Sequence, residues 1–150
     1  MNEEKIVATN KKARRDYFVL ESYEAGIQLR GMEVKSLRES RTSLNDSFAR
    51  VEKEEAFLYN LHIPPYSSIS QREYDPVKAR KLLLHKKEIN KLGGRLSAKG
   101  LTLVPLKIYF KHGIAKIELA LCKGKKLYDK RRQLRKKTAE REIKRVLKKR

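Results

Sequence analysis

The sequence predicts a mainly β fold with short helices: an OB-like closed antiparallel barrel of about six strands, followed by a basic C-terminal tail. Three observations predict it. Apolar and polar residues alternate with period two in several short runs. Two pairs of these runs flank turns of hairpin length. The charge is also uneven: of a net +20, the last 28 residues carry fifteen Lys or Arg against three Asp or Glu. Five or six short strands cannot leave a flat edge exposed, and closing them into a small barrel removes the edges. An SH3-like barrel has a similar strand count. The inserted helix and the basic face make the OB type the more economical solution.

Residues 1–15 are polar and end in Asn10-Lys11-Lys12-Ala13-Arg14-Arg15, which reads either as a solvated leader or as a basic arm on phosphate. Residues 16–23, rich in Tyr, Phe, Val and Leu, read as a strand. Glu24-Ala25-Gly26 should break it before the alternating Ile27-Gln28-Leu29-Arg30 resumes. Val34 and Leu37, three apart, predict a short helix over 32–38 with Lys35 and Arg38 on its wet side. Residues 40–47 read as polar loop. The strands 48–53 and 56–63 flank the charged turn Glu52–Glu55 as a hairpin, with Phe57, Tyr59, Leu61 and Ile63 sharing one face. Pro64-Pro65 stops the second strand, and 66–76 is a long polar loop. Residues 80–84 contain a three-leucine run with no readable period, so strand and helical turn both remain open. Ile89, Leu92 and Leu96 predict a helix over 86–98, weakened by Gly93-Gly94 and stopped at Gly100. Last, 101–110 and 114–121 flank Lys111-His112-Gly113 as a second hairpin.

The tail, residues 123–150, contains strong helix formers but few large aliphatic residues: Leu127, Leu134, Ile143, Val146 and Leu147. Alone in water, self-repulsion and the lack of a docking face predict disorder. Against a polyanion the phosphates neutralise the lysines and release counterions, so the tail reads as a segment that becomes helical on RNA. The domain reading is therefore a barrel with its basic leader, 1–122, and a tail, 123–150.

Composition narrows the function class. With 37% charged residues and so large an excess of positive charge, the partner is nucleic acid or an anionic membrane. The membrane is disfavoured: no apolar run approaches ~20 residues, the first residues lack the apolar core of a signal peptide, and the tail lacks a broad apolar face. The single cysteine, Cys122, suits a reducing cytoplasm and reads as a small packing residue. Catalysis finds no support. His62, His85 and His112 are far apart, no zinc spacing exists, and Gly124-Lys125-Lys126 lacks the upstream glycine of a phosphate-binding loop. No metal or cofactor is expected, and the chain does not read as an enzyme.

Four segments in this order are specific: Asn10-Lys11-Lys12-Ala13-Arg14-Arg15-Asp16-Tyr17-Phe18, Gly31-Met32-Glu33-Val34-Lys35-Ser36-Leu37-Arg38, Arg80-Lys81-Leu82-Leu83-Leu84 and Lys123-Gly124-Lys125-Lys126-Leu127-Tyr128-Asp129-Lys130-Arg131. Together they closely resemble the small protein B family, the SsrA-binding proteins of bacteria, from about residue 5 to the C-terminus. The resemblance implies an OB-like barrel that binds the tRNA-like domain of transfer-messenger RNA. It also implies delivery of that RNA to stalled ribosomes for trans-translation, with the tail entering the empty mRNA channel as a helix near the decoding centre and 16S rRNA. A constitutive rRNA-binding protein with a basic extension is the alternative.

By the same resemblance, Asn10, Glu24 and Leu83 match positions that contact the tRNA-like domain. An acid on an RNA face makes sense only if Glu24 accepts from a base edge or a 2′-hydroxyl; otherwise it is a solvated turn residue. Leu83 would pack on an unpaired base, or else sit in the core. Lys11, Lys12, Arg14 and Arg15 would hold phosphates without reading sequence. Gly124, Lys125, Lys126, Tyr128, Asp129, Lys130 and Arg131 match the segment that reaches the decoding centre, where Tyr128 offers a ring for stacking and Asp129 a helix cap. Val146 and Leu147 would be among the apolar contacts that fix the helix. Ser40, where relatives often carry Gly, departs from the pattern without touching these contacts.

Overall fold

The computed structural model describes residues 4–39, 41–66, 74–98 and 100–125, with Thr138 and Arg141 beyond them. Seven strands and three helices follow one another as β1 (Glu4–Thr9), α1 (Lys11–Asp16), β2 (Tyr17–Ile27), α2 (Gly31–Arg38), β3 (Phe48–Glu52), β4 (Glu55–Tyr59), β5 (Arg80–Leu83), α3 (Lys86–Leu96), β6 (Leu101–Lys111) and β7 (Ile114–Gly124). Every pairing is antiparallel, in the order β1-β6-β3-β4-β5-β2-β7, and β7 pairs back with β6. Six strands thus close a ring, and β1 lies outside it on β6. The closed barrel of about six strands expected from alternation is present, and β1 adds a seventh strand outside the ring.

Both predicted hairpins form, each through a two-residue turn with both residues at positive φ: Lys53 and Glu54 between β3 and β4, His112 and Gly113 between β6 and β7. Such turns match the right-handed twist of the strands they join. The ambiguous 80–84 run is strand β5. It pairs with β4 at Ala56, Phe57 and Leu58 and with β2 at Gly26 and Ile27. Helix α3 runs through Gly93-Gly94, and Gly100, at φ 86, turns the chain into β6. Ile89 and Leu92 are buried beneath it, and Glu21 of β2 tethers its far side through Lys91 and Arg95. The same Glu21 accepts from Tyr23, whose hydroxyl is pushed up to about 12.

The interior is lined by alternate residues: Ala25 and Ile27 of β2, Leu58 of β4, Leu82 of β5, Leu103 and Ile108 of β6, and Ile117, Leu119 and Leu121 of β7. Leu37 of α2 plugs the ring with Leu61 and Ile63. A second apolar cluster lies outside the barrel, where Ala13 of α1 covers Val104, Leu106, Ala120 and Cys122. Cys122 is fully buried, as its packing role requires, and burial pushes its thiol up to about 11, so it is not a reactive thiol.

Four expectations are corrected. Residues 4–15 are not a solvated leader: they form β1, paired with β6 from Glu4↔Lys111 to Thr9↔Lys107, and most of helix α1. Glu24-Ala25-Gly26 does not break the strand, because β7 pairs with all three and carries β2 through to Ile27. The face predicted for Phe57, Tyr59, Leu61 and Ile63 splits. Leu58, not its two neighbours, is fully buried, and Asn60 at φ 61 reverses the phase so that Leu61 and Ile63 turn inward. The 40–47 loop is not wholly polar in role, since Leu44 is buried in the core.

Candidate nucleic-acid interface

The outer surface of the barrel brings together residues that lie far apart in sequence. Gly26 of β2 pairs with Leu83 of β5 on one side and with Lys116 of β7 on the other, and Lys116 pairs with Tyr109 of β6. These residues form one row across four strands. Two residues before Gly26, Glu24 begins a neighbouring row through Glu118 and Lys107 to Thr9. Residues i and i+2 of a strand share a face, so Glu24 stands beside the Gly26–Leu83 pair. Leu83 is 53% exposed, which removes its reading as a core leucine. A side chain at Gly26 would place its Cβ 3.2 Å from Leu83 Cβ, so glycine here lets Leu83 lie over β2.

Glu24 is exposed but not loose. Its Oε2 accepts from Tyr109 Oη at 2.6 Å and faces Lys111 Nζ at 3.4 Å. The Tyr109 hydroxyl, helped by Lys111, holds the Glu24 carboxyl below its ordinary value of 4.5. Burial and the Glu24 carboxylate push Tyr109 in the opposite direction, so it stays a donor. Lys107 Nζ lies 4.9 Å from the Tyr109 ring centroid and 3.7 Å from Glu118, completing a charged frame around the ring. Glu24 therefore stays ionised at neutral pH with one oxygen already committed.

Asn10 occupies a different kind of position. It is 3% exposed. Strand β3 meets β6 at Leu103 and β1 meets it from Lys107 onward, and between them lie Pro105, which has no N–H, and the bulge at Leu106. Asn10 fills this gap. Its N–H donates to Leu106 O at 2.7 Å and its amide donates to Pro105 O at 2.9 Å and Leu44 O at 3.3 Å. Its side-chain oxygen accepts from Ala13 N at 3.0 Å, capping α1. The expectation that Asn10 contacts RNA directly meets a physical obstacle: the side chain is buried and both its donor and acceptor groups are engaged inside the protein.

What Asn10 holds up is α1, from which Lys11, Lys12, Arg14 and Arg15 all project exposed. Lys12 pairs with Asp46 at 2.6 Å and Arg15 with Asp16 at 3.3 Å. The end of β7 comes to the same place: Lys125 N donates to Asp16 O at 2.9 Å, and its Nζ reaches Arg14 O at 3.4 Å and lies 5.0 Å from the Phe18 ring. The root of the tail thus sits against α1. Gly124 is strand, paired with Tyr17, so the regular structure continues two residues beyond Cys122. Lys126, Tyr128, Asp129, Lys130, Arg131, Val146 and Leu147 lie outside the described residues.

No group of three or more His, Cys, Asp or Glu among the described residues could hold a metal ion, and no helix among them is long and apolar enough to cross a membrane.

The family model described as "SmpB protein" matches residues 7–149. The chain belongs to the SmpB family. It is 60% identical over 146 residues to the SsrA-binding protein of Halothermothrix orenii, covering 97% of this chain and 94% of that one. To the SsrA-binding protein of Geobacillus thermodenitrificans it is 55% identical over 148 residues, covering 99% and 96%. In three dimensions it resembles a chain of the solved structure "tmRNA-SmpB: a journey to the center of the bacterial ribosome", with a TM-score of 0.69 and 51% identity over 85% of this chain and 94% of that one. Among SmpB positions, sequence reasoning had missed Tyr109 and Lys111 as the partners that set Glu24. The alternation of β6 places Lys107, Tyr109 and Lys111 on one face, but only the pairing of β2, β7 and β6 brings that face to Glu24.

Proposed function

We propose that this chain binds the tRNA-like domain of transfer-messenger RNA and carries it to stalled ribosomes for trans-translation, acting in the bacterial cytoplasm by binding and positioning and not as an enzyme. Membership of the SmpB family supports this reading, as does the likeness to a chain solved in a tmRNA complex. The observation that carries it is the exposed Glu24–Leu83 pair on the barrel wall. Nothing in the packing of the barrel needs a fixed carboxylate beside an exposed leucine. An unpaired nucleotide does: Leu83 offers it an apolar surface, and Glu24 accepts from a base N–H or a 2′-hydroxyl. Tyr109 and Lys111 hold Glu24 in place beforehand, so little side-chain freedom is lost on binding.

Lys11, Lys12, Arg14 and Arg15 on α1 add phosphate contacts that set orientation. Asn10 acts through them, by fixing the helix. The chain divides in role near Gly124. The barrel holds the RNA, and the tail, with Lys125, Lys126, Tyr128, Asp129, Lys130, Arg131, Val146 and Leu147, enters the vacant mRNA channel near the decoding centre.

A competition titration at about 150 mM salt tests the barrel's part, because affinities shift steeply with salt. Labelled tRNA-like domain competes against excess elongator tRNA and rRNA fragments. The wild-type chain should prefer the tRNA-like domain, and Glu24→Ala should lose about tenfold, roughly the ~1.4 kcal/mol of one good directional contact. Equal affinity for all three RNAs would instead favour a general rRNA-binding protein.

A further inference from the structure

A second feature of the outer wall takes no part in the Glu24–Leu83 site. Phe48 and Tyr59 are cross-strand partners in the β3–β4 hairpin, with ring centroids 5.5 Å apart and planes 19° from parallel. Arg50, two residues along β3 on the same face, lies over both rings, its Cζ 5.0 Å from the Phe48 centroid and 5.8 Å from that of Tyr59. Arg50 is exposed. Among the described residues it makes no ion pair and no side-chain hydrogen bond, whereas its neighbour across the cleft, Lys12, is tied to Asp46. It is a guanidinium lying against two aromatic rings with no hydrogen-bond acceptor among the described residues, a combination suited to planar recognition.

Arg50 also forms one wall of a cleft of about 520 Å³ between the β3 side of the barrel and α1. Phe48, Asp46 and Lys12 share the lining, and the floor is Thr102 and Val104 of β6, the latter part of the outer apolar cluster. The volume is in the range of small-ligand sites. The cleft has Val104 and Thr102 beneath it, Phe48 and Arg50 on one wall, and Lys12 with the carboxylates of Asp16 and Asp46 in the rest of its lining. A cation–π contact by itself accounts for Arg50 lying on the rings, but not for the open cleft beside it or for the lack of an acceptor on the guanidinium among the described residues.

We propose that this cleft is a second RNA subsite, which takes one unpaired nucleobase stacked on its Arg50–Phe48 wall, with an adjoining phosphate held by Arg50. The occupant is a nucleotide because the Phe48 ring, the Arg50 guanidinium and the neighbouring basic helix α1 together match a base with its phosphate, and Arg side chains are regular platforms for splayed RNA bases. The inference rests on the reading that the chain binds a folded RNA with unpaired loop nucleotides. It adds a contact on the far side of α1 from Glu24, so that RNA would grip the helix from both flanks.

The test uses the full chain and the tRNA-like domain of transfer-messenger RNA transcribed with 5-iodouridine. Irradiation followed by peptide mapping should place a crosslink on Phe48, which lines the cleft. Arg50→Ala and Arg50→Lys should both weaken binding about tenfold, with unchanged thermal melting because the side chain is exposed. Lysine keeps the charge and loses the plane. If Arg50→Lys binds as the wild type does, or if crosslinks map only outside the β3–β4 hairpin, the subsite is overturned. A wild-type chain that binds elongator tRNA as tightly as the tRNA-like domain would overturn the reading beneath it, while a Phe48 crosslink to either RNA would still put a base in the cleft.

Discussion

Asn10 stands where three parts of the molecule meet: the bulged edge of β6, the loop carrying Leu44, and the first turn of α1. An amide suits this place because one group both donates twice and accepts once. Asn10→Ala removes the cap and leaves Pro105 O and Leu44 O without their buried donor, so a loss of about 2–4 kcal/mol is expected in chemical denaturation. If α1 presents its basic residues to RNA, the same variant should lose affinity even at temperatures where it remains folded. Asn10→Asp is a sharper probe. It keeps the cap but brings a carboxylate against two carbonyl oxygens, and it should destabilise at pH 7 more than at pH 4. At the same scale Glu24 was picked out through the family resemblance, and chemistry then marked it as unusual, since an acid has no electrostatic reason to sit on a phosphate-binding face. That Tyr109 and Lys111 keep it in place was not legible, because the three residues are joined only by pairing across β2, β7 and β6.

Among the elements, α2 and β5 are locked by one buried ion pair. Arg80 Nε donates to Glu33 Oε2 at 2.6 Å, both side chains being about 1% exposed, and Lys78 lies 3.2 Å from Oε1. Arg80 further donates to Leu61 O at 2.5 Å and to Pro76 O at 3.1 Å, tying down both ends of the segment that precedes β5. Glu33 also accepts from Arg30 N at 3.0 Å and so closes the first turn of α2. Removing one member of such a pair strands the other, and Arg80→Met should cost about 3–5 kcal/mol. Burial pushes the Glu33 carboxyl up, but the Arg30 N–H and the Arg80 guanidinium outweigh it, and the net shift is below the ordinary 4.5. A carboxylate depressed in the folded state stabilises above its unfolded value, and that contribution is lost as the pH falls through the folded one. The stability of the wild type should therefore drop below about pH 4.5, and Glu33→Gln, less stable at neutral pH, should show a shallower acid limb. A pH series of urea midpoints distinguishes them.

For the molecule as a whole, the question is how the two proposed RNA-binding ends share one chain. Truncation belongs after Lys125, not after Cys122, since Gly124 is still paired with Tyr17 and Lys125 N still donates to Asp16 O. The 1–125 chain should melt as the full chain does and keep its preference for the tRNA-like domain. Its affinity should depend less steeply on salt, because the tail's phosphate contacts and their counterion release are gone. It should also fail to support peptide tagging on stalled ribosomes. A loss of RNA preference in this chain would place recognition in the tail.

Much of the architecture was written locally. Alternation and turn chemistry located both hairpins, the spacing of Val34 and Leu37 located α2, and the charge distribution marked the tail, because each of these depends on residues within one or two turns of each other. Four ordered segments carried the family. The misses share a cause. Glu4–Thr9 is a short, charged strand that exists because β6 offers it an edge, and residues 24–26 stay extended because β7 pairs with each of them. The reversal at Asn60 and the bulges at Val7, Leu20 and Leu106 shift which residues face inward, and a shift of one residue exchanges the two faces of a strand. The sequence by itself determined that this is a basic, mainly β, RNA-binding chain of the SmpB type. Only the tertiary structure decided that Asn10 is a strut, that Glu24 and Leu83 meet across Gly26, and that the tail begins against α1. Register and strand order arise from the closing of the whole ring, and no single strand contains them.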